Sequence, residues 1–230
     1  MKPTFALDLS RDTIALLHRT SKGWLSVGEV GFDTPDLPDA LDYLRKTALG
    51  LSPLGMATKI VLPASQILYA EIHAPGTSRK DKQRQIAAAL EGRTPYAVAD
   101  LVFDWTGKGP NVQVAVVARE TLDEAEAFAM GHRFNPVSFV AIPAAGQFTG
   151  EAWFGPTTAA AGILSASEKV ERDSEPVVIL QRDFPKADPV ADPIPKPEPA
   201  PAPEAEPAPT PEAEPEPKAD PAPAPAVGTD

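Results

Sequence analysis

Apolar and polar residues alternate in three successive runs at the start of the chain. Phe5, Leu7 and Leu9 share one side of the first run, Ile14 and Leu16 one side of the second, and Leu25 and Val27 one side of the third. A period of two marks a half-buried strand. Ser10-Arg11-Asp12 and Ser21-Lys22-Gly23 separate the runs with turn-forming residues, so residues 4–30 read as a meander of three antiparallel strands.

The period then lengthens. Leu37, Leu41, Leu44 and Ala48 recur at helical spacing behind Asp36, with Pro38 in the tolerant first turn and Gly50 as the expected stop. Residues 59–62 and 66–73 return to strand character, broken at Pro63. Ser78 opens a second helix to about residue 91, with Ile86, Ala89 and Leu90 as its apolar face. Residues 101–105 and 112–117 pair as a hairpin, the second apolar on both faces as a central strand is. Thr121-Leu-Asp-Glu fits the capping-box pattern and predicts a third helix over 121–130 with Gly131 as its C-cap. Residues 137–142 are a last strand. The order βββα, ββα, ββαβ predicts an α/β fold, a mixed β-sheet with flanking helices, over residues 1–143. Residues 144–182 read as a Gly/Ala-rich linker in which 175–180 is a candidate extra strand.

Composition changes the picture only at the C-terminal end. The chain has 28 prolines, more than half of them after Phe184, in a stretch without aromatic residues. Such a segment buries too little apolar surface to offset the entropy of ordering, so 183–230 is expected to be a disordered acidic Pro/Ala/Glu-rich tail. It holds 11 acidic residues against 3 basic, a net of −8, leaving −3 of the chain's −11 for residues 1–182. A nearly neutral body with an acidic tail argues against nucleic acid as a partner. The absence of cysteine removes thiolate chemistry and suits a reducing cytoplasm. Asp8 and Asp12 interrupt what an export signal needs, and no run approaches a membrane span, so neither export nor stable membrane insertion is expected.

Candidate chemistry is sparse. Phe5 to Arg19 has the outline of a phosphate-binding hairpin, with Asp8, Ser10 and Arg11 at its turn, but no glycine lets a phosphate approach the backbone. These residues read as an ordinary tight turn, a vestigial phosphate loop. His18, His73 and His132 lack ligand spacing, and no metal or cofactor motif is found. Asp33, Asp36, Asp39 and Asp42 read as a solvated helix start, and Asp104 as a strand-end carboxylate facing water. Arg79, Lys80, Lys82 and Arg84 crowd the first turns of the second helix, where positive charge is mildly unfavourable. They read as a solvated helix face, and as partner-binding candidates for acidic lipid headgroups, an acidic partner segment or the chain's own Glu-rich tail.

Three segments carry a resemblance: ALDLSRDTIALLHR, IAAALEGRTPYAVADLVFDW and VQVAVVARETLDEAEAFAMGHRFNPVSFVAIP. Together they resemble the N-terminal half of the actin-like cytoplasmic domains of pilus and type II secretion assembly proteins, the PilM and GspL type. The resemblance covers about residues 4–143. It implies half of an actin-like (ribonuclease H-like) domain, without the second lobe that would close over a nucleotide.

A non-catalytic cytoplasmic scaffold or adaptor is therefore expected, without cofactor. It would bind a protein partner of the envelope, pilus or secretion machinery and associate with a membrane through that partner. The resemblance places the partner groove near residues 66–72 and 78–91. The alternative is an actin-like nucleotide-binding protein or weak ATPase. A further alternative follows from the tail, which resembles the low-complexity leader of a bacterial translation initiation factor; the GTPase P-loop is missing.

Overall fold

The computed structural model describes residues 1–10, 12–52 and 55–180, all within the first of two units, Met1–Asp183. The expected tail at 183–230 lies outside the described residues, as does Arg11.

The opening meander is β1 (Phe5–Asp8), β2 (Thr13–Thr20) and β3 (Gly23–Gly31), each antiparallel to the next. Helix α1 (Leu37–Leu51) leads to β4 (Thr58–Val61), which lies parallel to β1. The chain then leaves this sheet. β5 (Leu68–His73), α2 (Arg79–Leu90), β6 (Leu101–Thr106) and β7 (Asn111–Ala118) build a separate three-stranded antiparallel sheet, order β5-β7-β6, with β7 in the centre as its two-sided apolar pattern requires. Helix α3 (Arg119–Gly131) brings the chain back to β8 (Pro136–Ala141), parallel to β4.

The six-stranded sheet has the order β3-β2-β1-β4-β8-β9. Three antiparallel strands followed by two parallel to the first make a mixed sheet, the α/β class expected. Alternation sorts its two faces. Phe5, Leu7, Ile14, Leu16 and Ile60 point to a core shared with α1, α3 and β7. Each such fully buried side chain contributes roughly 1.5–3 kcal/mol. Ala6, Ala15, Leu17, Trp24, Val61 and Val140 point the other way, to a thinner second core.

Residues 144–182, read as a linker, differ from that expectation as far as they are described. They supply β9 (Ala152–Pro156), antiparallel to β8, and the short α4 (Ala160–Ile163). Residues beyond run back across the second face. Trp24 and Ile179 form a parallel bridge, so the candidate strand at 175–180 touches the β3 edge at one point only. Gly and Pro within Trp-Phe-Gly-Pro obscured β9, since both weaken strand propensity, yet an edge strand tolerates them.

Helix boundaries also moved. α1 runs through Gly50, and packs Leu41, Leu44 and Ala48 on the sheet, where Gly28 makes room because a Cβ there would collide with Leu44. α3 begins at Arg119, two residues before the expected capping box, and no side chain caps it. Its end is a Schellman turn centred on Arg133 rather than Gly131. The Phe134 N–H donates to Ala129 at 2.9 Å and the Arg133 N–H to Met130 at 3.0 Å, with Arg133 at φ 59°. Fully buried Phe134 supplies the apolar contact that fixes this left-handed turn.

Candidate functional site

The turn after β1 uses its own carboxylate. Asp8 is fully buried at the end of β1 and accepts hydrogen bonds from the Ser10 N–H at 2.9 Å and the Ser10 hydroxyl. This is an Asx turn, in which the side chain stands in for a backbone acceptor. Asp8 and Ser10 are thus brought together within a tight turn.

The basic helix is partly committed to structure. The Arg79 guanidinium stacks 4.4 Å from the Trp105 ring, and Lys82 donates to the Ala74 and Gly109 carbonyls at 2.7 and 2.8 Å. Arg84 pairs with Asp81 at 3.0 Å. Ser78 caps the helix through the Asp81 N–H, as its position suggested. Lys80 and Arg84 remain exposed.

A depression lies at the start of β5, and no residue of α2 lines it. Ile67, Leu68 and Val116 meet Thr94-Pro95-Tyr96 and Thr121 around a volume of about 320 Å3. Leu68 and Tyr96, 37% and 42% exposed, both flank this depression. Among the described residues β5 pairs with β7 alone, so its other edge is open. Beside Tyr96 the surface turns acidic, with Asp100, Glu120, Asp123 and Glu124 around Arg119. On the opposite face of β5 the Tyr69 hydroxyl is buried without a hydrogen-bond partner, and burial pushes its phenol up to about 12.

The most charged interior was not legible. Lys59 and Glu151 are 2% and 1% exposed; Lys59 donates to Glu151 and to Asp173, the latter at 2.6 Å. Arg19 grips Asp173 with both terminal nitrogens at 3.1 and 2.6 Å, and Lys2 approaches it at 3.2 Å. Arg19 and Lys59 lie 4.3 and 5.1 Å from the Trp24 ring centroid. Burial alone would raise the Asp173 carboxyl, but hydrogen bonds from Arg19 and Lys59, with their charges, hold it well below the ordinary aspartate range. Burial pushes the Glu151 carboxyl up, and Lys59 only partly offsets this.

Asp104, read as facing water, is instead buried between the two sheets. It accepts from the Trp153 N–H of β9 at 3.1 Å and pairs with Arg172 at 2.8 Å. Burial raises its carboxyl above the aspartate range against these donors. The strand pattern around Asp104 gives no sign of this, because its partners sit 49 and 68 positions away.

Among the described residues no cluster of three or more His, Asp or Glu has metal-holding geometry, and no helix is long and apolar enough to cross a membrane.

No family model and no curated protein matches the chain. Solved structures do. The cytoplasmic domain of EpsL, an inner-membrane component of the type II secretion system of Vibrio cholerae, is 16% identical with a TM-score of 0.44, over 62% of this chain and 59% of that one. A PilM-PilN type IV pilus biogenesis complex is 15% identical with a TM-score of 0.46, over 60% of this chain and 46% of that one. The chain therefore spans less than two thirds of either.

Proposed function

We propose that the chain is a non-catalytic scaffold that binds an extended segment of a partner protein in the groove at the start of β5. The observation that carries this is the exposed pair Leu68 and Tyr96 flanking a depression beside an open strand edge. An edge strand offers a row of backbone donors and acceptors to a second chain, and a neighbouring apolar pocket selects one of its side chains. The acidic rim of Asp100, Glu120, Asp123 and Glu124 favours a partner whose apolar anchor is followed by Lys or Arg. A component of an envelope, pilus or secretion assembly is the partner class we favour, which would bring a body without a spanning helix to a membrane.

A photo-crosslinking amino acid at position 68 of the full chain tests the reading, with exposed Leu49 on α1 as control site. Crosslinks to one partner segment from position 68, absent from position 49 and abolished by Tyr96→Ala in a folded protein, are expected. Capture that is equal from both positions, or unchanged in Tyr96→Ala, overturns it.

A further inference from the structure

Residues 171–180 lie across the second face of the six-stranded sheet in an unusual way. Of these ten residues only Asp173 and Val177 are buried; the rest are exposed or half-exposed. Asp173 enters the cationic socket of Lys2, Arg19 and Lys59. Val177 joins Trp24 in the second core. Between and beyond these pegs the segment makes a single bridge to β3, with the Trp24 N–H donating to Val178 at 2.9 Å and the Leu180 N–H to Trp24 at 2.8 Å.

The receiving surface is shaped for a strand. Gly23 has φ +146°, and a Cβ there would come 3.0 Å from the Val178 carbonyl oxygen. Gly150 has φ +84°, and a Cβ there would come 3.1 Å from the Ser174 carbonyl oxygen. Both positions leave space that the segment's backbone fills.

The cations of the socket keep other partners without the segment. If Asp173 leaves, Lys59 keeps Glu151. Arg19 keeps the Pro3 carbonyl at 2.7 Å and the Trp24 ring. Lys2 is half exposed and is met by water. Removing one member of a buried ion pair is costly because it orphans the other. Here departure orphans no cation, and the carboxylate regains its hydration. Departure does cost three contacts: Arg172 gives up its pair with the buried Asp104 and its bond to the Glu151 carbonyl, and Glu151 loses the Asp173 N–H, while Asp104 keeps the Trp153 N–H and Glu151 keeps Lys59.

We propose that the β3 edge is a peptide-docking site, occupied in cis by residues 171–180 and open to exchange. Its ligand class is an extended segment with a carboxylate four residues before a β-branched apolar residue, added parallel to β3. The cis segment then acts as a tethered competitor. A ligand in trans binds with an affinity reduced by the fraction of time the site is vacant.

Two measurements on the full chain test this. In hydrogen exchange, the Leu180 and Trp24 amides should exchange together, at least about tenfold faster than the Leu62 amide, which is bonded to Val140 within the parallel sheet. Exchange at the same rate as Leu62, through global unfolding alone, overturns the proposal. In the second, a fluorescent peptide VERDSEPVVIL, copying residues 170–180, is titrated by anisotropy. It should bind the full-chain Asp173→Ala variant at least about tenfold more tightly than the unaltered chain, since the competitor is weakened. The same peptide with its Asp replaced by Ala should bind neither. A peptide that binds neither protein, or both equally, overturns the proposal, and the exchange result stands whether or not the variant folds. Neither readout involves the β5 groove.

Discussion

Lys59 and Asp173 are 114 positions apart, and the Lys59 ammonium donates to the Asp173 carboxylate at 2.6 Å in a buried setting. One residue belongs to the central parallel strands and the other to the segment that crosses them. The pair therefore ties the crossing segment onto the sheet. Its pH dependence follows from the depressed Asp173 carboxyl. A group whose pKa is lower in the folded state stabilises above its unfolded pKa, and that contribution is lost as the pH falls through the folded value. Asp173→Asn is expected to cost about 2 kcal/mol at neutral pH, below the roughly 3–5 kcal/mol of orphaning a buried charge, because each cation keeps another partner. The difference between the two proteins should be full above the ordinary aspartate pKa of 3.8 and shrink below it. Urea denaturation of both across pH 3 to 7 measures this.

Tyr69 makes the opposite prediction. Its buried hydroxyl has no hydrogen-bond partner, so removing it also removes a desolvation cost. Tyr69→Phe should be neutral to stabilising, by up to about 1 kcal/mol. The unaltered protein should also lose stability relative to the variant as the pH rises from 10 toward 12, because the folded state retains a phenolic proton that the unfolded chain releases. Thermal melts at pH 8 and pH 11 separate the two effects.

Arg133 holds a left-handed conformation that glycine adopts without steric cost. Arg133→Gly should raise stability by about 0.5–1 kcal/mol through relief at the Schellman turn, partly offset by the larger entropy of the unfolded chain. A rise in Tm checks it, while a fall would show that the arginine side chain contributes more than its backbone strain.

Asp8→Ala tests the role of the opening turn. The loss of its bonds to Ser10 should lower stability by about 1–2 kcal/mol. Millimolar Mg-ATP should leave the Tm of the unaltered protein and the variant unchanged. A nucleotide-dependent rise that vanishes in Asp8→Ala would favour the ATPase reading over the scaffold.

The sequence was readable where the fold depends on local period. Phe5, Leu7, Ile14 and Leu16 announce their strands and their shared face because alternation is a property of neighbours. Asp104, Glu151 and Asp173 were unreadable for the converse reason. Each is a charge whose burial depends on a distant partner, and pattern reading sends an isolated carboxylate to solvent. Asp173 sits among polar residues in a stretch resembling a linker, so the segment's attachment to the sheet was hidden with it. The β5 groove falls between these extremes. Its strand was visible from residues 66–73, while the Tyr96 wall required the tertiary fold.

Asp104 has a consequence beyond its own burial. The carboxylate belongs to β6 of the three-stranded sheet, takes its amide donor from β9 of the six-stranded sheet, and takes its cation from the crossing segment at Arg172. Three separately folded pieces of chain thus share one fastening point. An altered side chain at Asp104 acts on contacts of all three at once.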